Sequence, residues 1–239
     1  MSYNNLRGLY VVATHIGNWD DITLRALEIL KNVDFVISEE YKNGSRLLKH
    51  YGISKPIELL NEHNENERSI EIFNKLIQEG VSAAIISDAG TPVFADPGTN
   101  LVDMCLKNNL KVTPIPGASS LMSAIMGAGI KMDKFLFHGF LPANKDERIR
   151  ALKKIRNLSD FNILFLEAPY RLKQFLRDLI LVLGAKRNAV LAYKLTQPEE
   201  KFFWGTLDEM RIMTENLPKG EFVFILKKNE SYKKNFRRK

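Results

Sequence analysis

The chain has 239 residues, of which 45% are hydrophobic and 26% are charged, and both fractions are ordinary for a folded protein. No apolar run approaches the roughly 20 residues that a membrane-spanning helix needs, and the polar first five residues lack the pattern of a signal peptide. The single cysteine, Cys105, excludes an internal disulfide, and its apolar neighbours predict a buried thiol. We therefore expect a cytoplasmic protein without a membrane segment, folded as one large domain or two small ones.

The net charge of +7 is concentrated at the C-terminal end of the chain. Residues 227–239 contain seven of the 35 Lys and Arg residues and one of the 28 Asp and Glu residues, whereas residues 1–140 contain 13 basic and 16 acidic residues. The basic segment predicts either a contact with phosphate backbones or a solvated end. We assign residues 229–239 to a basic tail that we expect to be disordered.

Strand and helix signals alternate along the chain. Strands are predicted at 9–14, 33–38, 56–60, 81–86 and 111–115, and helices from Asp20 or Asp21 to 31, at 44–51, from Asn66 to about 80, and at 100–109. Two prolines and a glycine at 114–117 indicate a boundary. Beyond it, helices are predicted at 118–126, 144–157 and 169–183, and strands at 135–137, 162–166, 189–193 and 221–226. This order predicts two α/β domains with parallel or mixed sheets, at 1–116 and 117–228.

Several common cofactor and catalytic motifs are absent from the sequence. No G-x-G-x-x-G follows the first strand and no G-x-x-x-x-G-K-[ST] occurs, so neither a nicotinamide-binding Rossmann domain nor a P-loop is indicated. No G-x-S-x-G is present, which argues against an α/β-hydrolase. No metal site is expected, because the four histidines have no partners at metal-ligand spacing: His15, His50, His63 and His138.

Four loops, at 14–21, 38–42, 87–98 and 116–120, each follow a predicted strand and contain unusual residues. In the third, four of the twelve residues are Gly or Pro and two are Asp. Glycine lets a backbone approach a ligand closely, and small ligands bind at the carboxyl ends of strands in open α/β sheets. In the fourth, Ser119 or Ser120 either caps a helix or begins a helix whose amides face a ligand. Together the loops predict a pocket across one edge of a sheet.

Seven segments of the sequence occur in the order of one known family. They lie at 9–14 with 16–18, 21–27, 61–65, 87–92 (Ser-Asp-Ala-Gly-Thr-Pro), 96–98, 116–119 (Pro-Gly-Ala-Ser) and 139–142. Through these segments the chain resembles the bacterial ribose 2′-O-methyltransferases that act on a cytidine of small-subunit ribosomal RNA, within the tetrapyrrole-methylase superfamily. The resemblance implies two α/β domains of the tetrapyrrole-methylase type, S-adenosylmethionine in the cleft between them, and a homodimer.

The resemblance also implies which residues bind the cofactor. The segment 90–92 matches the superfamily's Gly-Asp-Pro cofactor loop, and the residues implied are Gly90, Thr91, Pro92, Val93, Ala95, Ser119 and Ser120, with Ala168, Leu195 and Pro218 in the second domain. Methyl transfer to a ribose hydroxyl needs an aligned donor and acceptor and a group that takes the proton, but no metal. Glu39, Asp88 and His63 are candidates for that group by polarity and predicted loop position only.

The loops on the substrate side depart from the family pattern. His15 and Trp19 replace a proline and a leucine, residues 40–42 read Glu-Tyr-Lys where the family has Asp-Thr-Arg, and residues 194–197 carry altered charges. Lysine lacks the bidentate fork with which arginine recognises phosphate. The candidate substrate residues are Asn18, Trp19, Tyr41, Lys42 and Arg46. Trp19 and Tyr41 either stack on a flipped base or pack as half-buried aromatic side chains.

Three functions stay open at this point. The first is ribose methylation of ribosomal RNA, for which the partner is the small ribosomal subunit or its RNA. The second is methylation of a tetrapyrrole precursor or another small molecule, against which the acidic first domain argues, because tetrapyrroles carry many carboxylates. The third is a homologue that binds S-adenosylmethionine or RNA without catalysis, which the altered segments 39–42 and 194–197 leave open.

Overall fold

The computed structural model describes residues 6–158 and 160–229. The chain divides between Ser119 and Ser120 into two compact units, each with one five-stranded sheet. Of the predicted basic tail at 229–239, all but Asn229 lies outside the described residues. No helix in the described part of the chain is long and apolar enough to cross a bilayer.

The first unit is an open parallel sheet flanked by helices. Its strands are β1 (Gly8–Val12), β2 (Phe35–Ser38), β3 (Ile57–Leu59), β4 (Ser82–Ile86) and β5 (Val112–Ile115), and its helices are α1 (Leu24–Asn32), α2 (Tyr41–His50), α3 (Glu65–Gln78) and α4 (Thr99–Lys107). The strand order is β3-β2-β4-β1-β5, with every pair parallel. All five strands therefore end at one edge of the sheet, which we call the carboxyl edge.

Apolar side chains close both faces of this sheet. Successive strand residues point to opposite faces, so Val12 packs with α1 and α2 in one core cluster and Leu9 packs with α3 and α4 in another. Every residue of β4 is buried, as is typical of a parallel strand with helices on both sides. With both faces covered by helices, the loops at the carboxyl edge are left as the place for a site.

Helices α1, α2 and α3 begin at residues other than those predicted, for reasons that the local contacts show. α1 begins at Leu24, because the Thr23 hydroxyl accepts a hydrogen bond from the Ala26 N–H at 3.1 Å and caps the helix, while Asp20 and Asp21 lie in a short 3-10 turn. α3 begins one residue before Asn66, which is therefore not its cap. α2 begins at Tyr41 rather than at residue 44, so a glycine lies inside the helix.

The second unit has a mixed sheet. Its elements are α5 (Ser120–Gly127), β6 (Phe135–Gly139), α6 (Lys145–Ile155), β7 (Asn162–Glu167), α7 (Leu172–Leu183), β8 (Asn188–Tyr193), β9 (Lys201–Thr206), α8 (Leu207–Met213) and β10 (Phe222–Leu226). The strand order is β6-β7-β10-β8-β9, in which β6 and β7 are parallel and the other pairs are antiparallel. The predicted α/β class is confirmed, but the sequence prediction missed β9 and α8.

Candidate functional site

The loop at 87–98, which follows β4 at the carboxyl edge, has a strained backbone. Four of its residues have positive φ: Gly90 (80°), Val93 (66°), Ala95 (62°) and Gly98 (118°). For a β-branched valine this conformation is an outlier that costs on the order of 1–3 kcal/mol and persists only where surrounding contacts hold it. Such strain concentrates in ligand-binding and catalytic segments, so the loop is the leading candidate for a binding segment.

Gly90 joins this loop to the loop that follows β1. Its N–H donates to the His15 carbonyl at 2.9 Å, and its own carbonyl accepts from the Thr14 N–H at 2.8 Å. A Cβ at position 90 would lie 2.9 Å from Ile16 Cγ2 and 3.5 Å from the Ala118 carbonyl oxygen. Glycine is therefore required at this position by both its positive φ and the lack of space.

The loop that follows β5 packs against the same point. The Thr91 hydroxyl donates to the Ala118 carbonyl at 3.3 Å. A Cβ on Gly117 would lie 3.0 Å from the Ala13 Cβ and 3.2 Å from the Ala13 carbonyl oxygen. Three loops thus meet through bare backbone, and we call this meeting point, formed by residues 13–16, 90–91 and 117–118, the Gly90 junction.

Three carboxyl groups with raised pKa values lie in the loops that follow β2 and β4 at the carboxyl edge, and we call Glu39, Asp88 and Asp96 the acidic cluster. Burial raises the pKa of Glu39, and the negative charges of Asp88 and Asp96 raise it further. Burial likewise raises the pKa values of Asp88 and Asp96, against the opposing effect of hydrogen bonds from Asn43 and Ser87 respectively. A carboxylate with a raised pKa is a stronger base, and this cluster can accept a proton from a hydroxyl group.

Contacts across the carboxyl edge hold the acidic cluster in place. Glu39 and Asp96 line one small cavity, together with Ser38, Ser87 and Pro97. The Asn43 amide, in the first turn of α2, donates to the carboxylates of both Asp88 and Glu40. In residues 6–158 and 160–229 no group of three or more His, Cys, Asp or Glu side chains is arranged to hold a metal ion.

The predicted substrate residue Trp19 lies in an aromatic stack. Its ring centroid is 3.9 Å from that of His15 and 4.2 Å from that of His50, and both imidazoles are stacked on it. The Tyr51 hydroxyl donates to the Trp19 carbonyl at 2.5 Å, and both rings pack against the core cluster of α1 and α2. Burial, aided by the positive groups His50 and Arg46, lowers the pKa of His15. These contacts favour the packing alternative for Trp19.

The other predicted substrate residues separate into two kinds. Tyr41, Lys42 and Arg46 line a groove of about 710 Å³ along α2, which also includes Trp19, Lys49 and His50, and we call it the α2 groove. Tyr41 is 62% exposed, so its ring is available to a ligand. Asn18 has a structural contact instead, because its side chain caps the 3-10 turn by accepting from the Asp20 N–H at 3.1 Å.

The remaining first-unit residues predicted to bind the cofactor have different environments. Pro92 is buried, and Val93 packs against the core cluster of α3 and α4. Only the backbone of these two residues is therefore left to contact a ligand. Ala95 is exposed, and Ser119 immediately precedes α5. Among the predicted bases, His63 lies in an exposed turn after the edge strand β3 and does not line the cavity of Glu39 and Asp96.

The second-unit residues predicted to bind the cofactor share one edge of the second sheet. Ala168 follows β7 and Leu195 follows β8, while Pro218 precedes β10, which is antiparallel to both strands. The Tyr193 hydroxyl donates to the Pro218 carbonyl at 3.0 Å. Thr196, next to Leu195, has a φ of 63°, which is a strained value for a β-branched residue.

Sequence reasoning missed two residues of this site. Asp96 was part of a matched segment, but its burial beside Glu39 depends on the fold. Asn43 was missed because its partner Asp88 is 45 residues away along the chain. A polar residue one turn into a helix that follows a buried strand is the only local sign that could have indicated it.

Comparison with known proteins decides the family. The family model described as tetrapyrrole (corrin/porphyrin) methylases matches residues 8–211. The chain belongs to this family. The tetrapyrrole methylases are S-adenosylmethionine-dependent methyltransferases, and the chain is a methyltransferase of that class, so the predictions of family and enzyme class are confirmed.

Two relatives are similar to this tetrapyrrole methylase in sequence, and one solved structure is similar to it in fold. It is 41% identical to "Ribosomal RNA small subunit methyltransferase I" of Synechocystis sp. over 219 residues, which cover 91% of this chain and 78% of that protein. It is 39% identical to the protein of the same name from Thermotoga maritima over 225 residues, which cover 93% and 99%. The crystal structure of the methyltransferase CobJ matches with a TM-score of 0.68 at 16% identity, covering 93% and 95%, which shows the fold.

Proposed function

We propose that this methyltransferase transfers a methyl group from S-adenosylmethionine to the ribose 2′-oxygen of a cytidine in small-subunit ribosomal RNA. The observation that carries the proposal is the 41% identity, over 91% of the chain, to a relative named for methylation of that RNA. The resemblance to the ribose 2′-O-methyltransferases, which rests on seven ordered segments between residues 9 and 142, supports the ribose hydroxyl as the acceptor.

We assign the cofactor to the Gly90 junction in the first unit. For the second unit, the resemblance implies Ala168, Leu195 and Pro218 as cofactor-binding residues. The residues present fit a bound nucleoside, because the junction offers backbone groups without side chains at Gly90 and Gly117. The strain at Val93 and Ala95 supports a role in binding. When bound, S-adenosylmethionine supplies a methyl group activated by a positively charged sulfonium.

The part of the reaction that falls to this chain is to orient the ribose and to remove its proton. While the 2′-oxygen accepts the methyl group that the cofactor would supply, a carboxylate of this chain would take the hydroxyl proton. We assign Glu39 as that base, because it is half-buried, has a raised pKa and lies beside Asp96. Asp88, held by Asn43, is the second candidate, and the exposed His63 is the third.

Methyl transfer from labelled S-adenosylmethionine to small ribosomal subunits that lack the modification tests the proposal. We expect label at one ribose of the RNA and none with the Glu39→Ala and Asp88→Ala variants. Label on a polycarboxylated porphyrin but not on RNA would instead identify a tetrapyrrole methylase. Saturating S-adenosylmethionine is expected to raise the melting temperature by mass action, and no rise would contradict the cofactor assignment.

We also propose that the enzyme acts in the cytoplasm as a homodimer. Exposed apolar side chains in the second unit support self-association: Met126 of α5 is 84% exposed and Trp204 of the edge strand β9 is 55% exposed. The Trp204 indole donates to the Ala128 carbonyl at 2.9 Å, which ties the strand to the end of α5. Light scattering on wild type and on Met126→Glu is expected to show a dimer and a monomer, respectively.

The basic tail is proposed to add to RNA affinity. Residues 230–239 lie outside the described part of the chain, and the proposal rests on their composition of five Lys or Arg residues and one Glu. We expect that deletion of residues 229–239 weakens RNA binding and flattens its dependence on salt. Unchanged binding would show that the tail has no part in RNA recognition.

A further inference from the structure

A row of cations runs along one face of α2. Lys42, Arg46 and Lys49 follow one another at intervals of four and three residues, which places them on the same side of a helix. At a rise of about 1.5 Å per residue, successive members are separated by about 6 Å and about 4.5 Å along the helix axis. All three are exposed and line the α2 groove.

These cations have no carboxylate partner. Within residues 6–158 and 160–229 no Asp or Glu lies at ion-pair distance from any of the three. By contrast, Lys75 and Lys107 in the same unit pair with carboxylates at 3.0 Å and 2.7 Å. A shortage of acidic residues does not explain why these three cations are unpaired, because residues 1–119 contain 15 Asp or Glu residues and 11 Lys or Arg residues. Arg7, Arg25 and Lys111 of the same unit also have no ion-pair partner among the described residues, so the feature that distinguishes the row is its alignment on one face of α2 beside a groove.

Helix stability does not explain the whole row. Lys49 and His50 lie in the last turn of α2, where positive charge interacts favourably with the helix dipole. Lys42 lies in the first turn, where a cation is unfavourable, and no acidic residue accompanies it there. Helices α6 and α8 have two acidic residues each in the first turn, whereas α1 and α7, like α2, have none. The helix dipole therefore gives no reason for a cation at position 42, and the case for binding rests on the alignment of the row.

Aromatic groups give the groove a rigid wall and one open stacking surface. The Arg46 guanidinium lies 5.4 Å from the centroid of Trp19, whose ring is fixed by the imidazoles of His15 and His50. Tyr41 stands at the first residue of α2, is 62% exposed, and follows Glu39 by two residues. A base stacked on Tyr41 would thus lie next to the acidic cluster.

We propose that the α2 groove binds single-stranded RNA beside the methylated nucleotide, with Lys42, Arg46 and Lys49 on successive phosphates and Tyr41 stacked on a base. This inference rests on the proposed function and names the part of the chain that holds its substrate. A line of cations beside an exposed aromatic ring is the arrangement that single-stranded nucleic acids require. A compact polycarboxylate such as a porphyrin would be held better by cations that surround it.

The test measures the affinity of the full chain for fluorescently labelled single-stranded oligocytidylate at several salt concentrations. The groove variant combines Lys42→Gln, Arg46→Gln and Lys49→Gln. The matched control combines Arg7→Gln, Arg25→Gln and Lys111→Gln, which removes the same charge from other exposed positions of the first unit that also have no ion-pair partner among the described residues. Each phosphate contact contributes roughly 0.7 to the slope of log affinity against log salt. We expect the groove variant to lose at least about tenfold in affinity and about 2 in slope, and the control to behave as wild type.

Three outcomes would overturn the inference: a groove variant that binds RNA like wild type, an equal loss in the control, or a loss of binding to uroporphyrin without a loss of binding to RNA.

Methyl transfer to small ribosomal subunits separates this inference from the proposed function. If wild type binds RNA through the groove but transfers no methyl group, only the proposed function fails. If the groove variant binds RNA and methylates subunits like wild type, only the groove inference fails. The rise in melting temperature with S-adenosylmethionine is expected in both variants and confirms that they are folded.

Discussion

The Gly90 junction and the α2 groove lie in the same unit and are built on different principles. At the junction, the proposed recognition of the cofactor depends on shape: two glycines with little space for a side chain, and hydrogen bonds between loops. Along the groove, the proposed recognition of RNA depends on charge: three unpaired cations on a regular helix. The sequence keeps the family pattern at 87–92 and 116–119, whereas it departs from that pattern at His15, at Trp19 and at 40–42.

This difference is what a methyltransferase with one cofactor and a large anionic substrate requires. A cofactor of fixed shape tolerates little change in the backbone that surrounds it, because a shift of tenths of an ångström alters every contact. A phosphate backbone binds through charge that can be supplied from several positions, so residue identities along the groove can vary while the function is retained. The predictions below test this division, from the largest expected effect to the smallest.

Gly90→Val is expected to abolish methyl transfer and to weaken S-adenosylmethionine binding by at least about a hundredfold. The new side chain would lie 2.9 Å from Ile16 Cγ2 at a φ of 80°, so the junction has to open. Gly52→Val is the matched control, because Gly52 also has positive φ (66°) but no neighbour within 4 Å. Isothermal titration with the cofactor measures the difference, and equal losses in the two variants would show that close approach at Gly90 is unimportant.

Glu39→Gln is expected to lower the rate of methyl transfer by about 10²–10⁴-fold, the usual contribution of a general base. In wild type the rate should fall as pH decreases through the raised pKa of Glu39, above the range of an ordinary glutamate. Because folding disfavours the charged form of Glu39, the cost to stability is full above the folded pKa, falls as the pH decreases through it, and is absent below the unfolded pKa. The neutral variant should therefore melt at a higher temperature than wild type at neutral pH.

The exposed Glu79→Gln variant is the control for this substitution. It should leave both the rate and the melting temperature unchanged. If the Glu39→Gln enzyme has the wild-type rate, Glu39 is not the base, and Asp88 or Asp96 has that role instead.

Gly44→Ala is expected to lower methyl transfer by about tenfold, although alanine favours helices over glycine by about 1 kcal/mol. The new Cβ would lie 2.7 Å from Ser38 Oγ and 2.9 Å from Ser38 Cβ, so α2 has to move away from the end of β2. That movement changes the positions of Tyr41 and Asn43 relative to the acidic cluster. The double variant Gly44→Ala/Ser38→Gly should recover most of the rate, and a single variant as active as wild type would show that this contact does not position α2.

Arg46→Lys is expected to have the smallest effect, a loss of less than about threefold in RNA affinity with an unchanged salt slope. The substitution keeps the charge and removes the planar guanidinium. If the groove recognises phosphate groups by charge alone, a lysine at position 46 should bind RNA almost as well as the arginine. A larger loss at constant slope, measured by fluorescence anisotropy, would show that the groove also depends on the shape of the arginine over Trp19.

Much of the fold could be predicted from the sequence because its signals are local. Buried parallel strands such as β4 appear as continuous apolar runs, and the loops that follow them stand out by their glycines and prolines. The second unit was harder, and β9 with α8 was missed. The pair Thr206 and Glu209, which forms a capping box at the start of α8, was the available signal for that helix.

The site itself could be predicted only in part. The segment 87–98 was recognised, but the positive φ values of Val93 and Ala95 contradict the local preference of their residue types and follow from contacts made elsewhere in the fold. The pairing of Asn43 with Asp88 and the stack of His15, Trp19 and His50 join residues far apart in the chain. Sequence periodicity carries no information about such pairs, so the alternative roles of Trp19 could not be separated without the structure.

Measuring two affinities in two variants tests the division between junction and groove most directly. S-adenosylmethionine affinity and oligocytidylate affinity are determined for Gly90→Val and for the triple variant with Gln at positions 42, 46 and 49. The account predicts that Gly90→Val loses cofactor affinity and keeps RNA affinity, while the triple variant loses RNA affinity and keeps cofactor affinity. Loss of both affinities in either folded variant, or the opposite pairing, would contradict it.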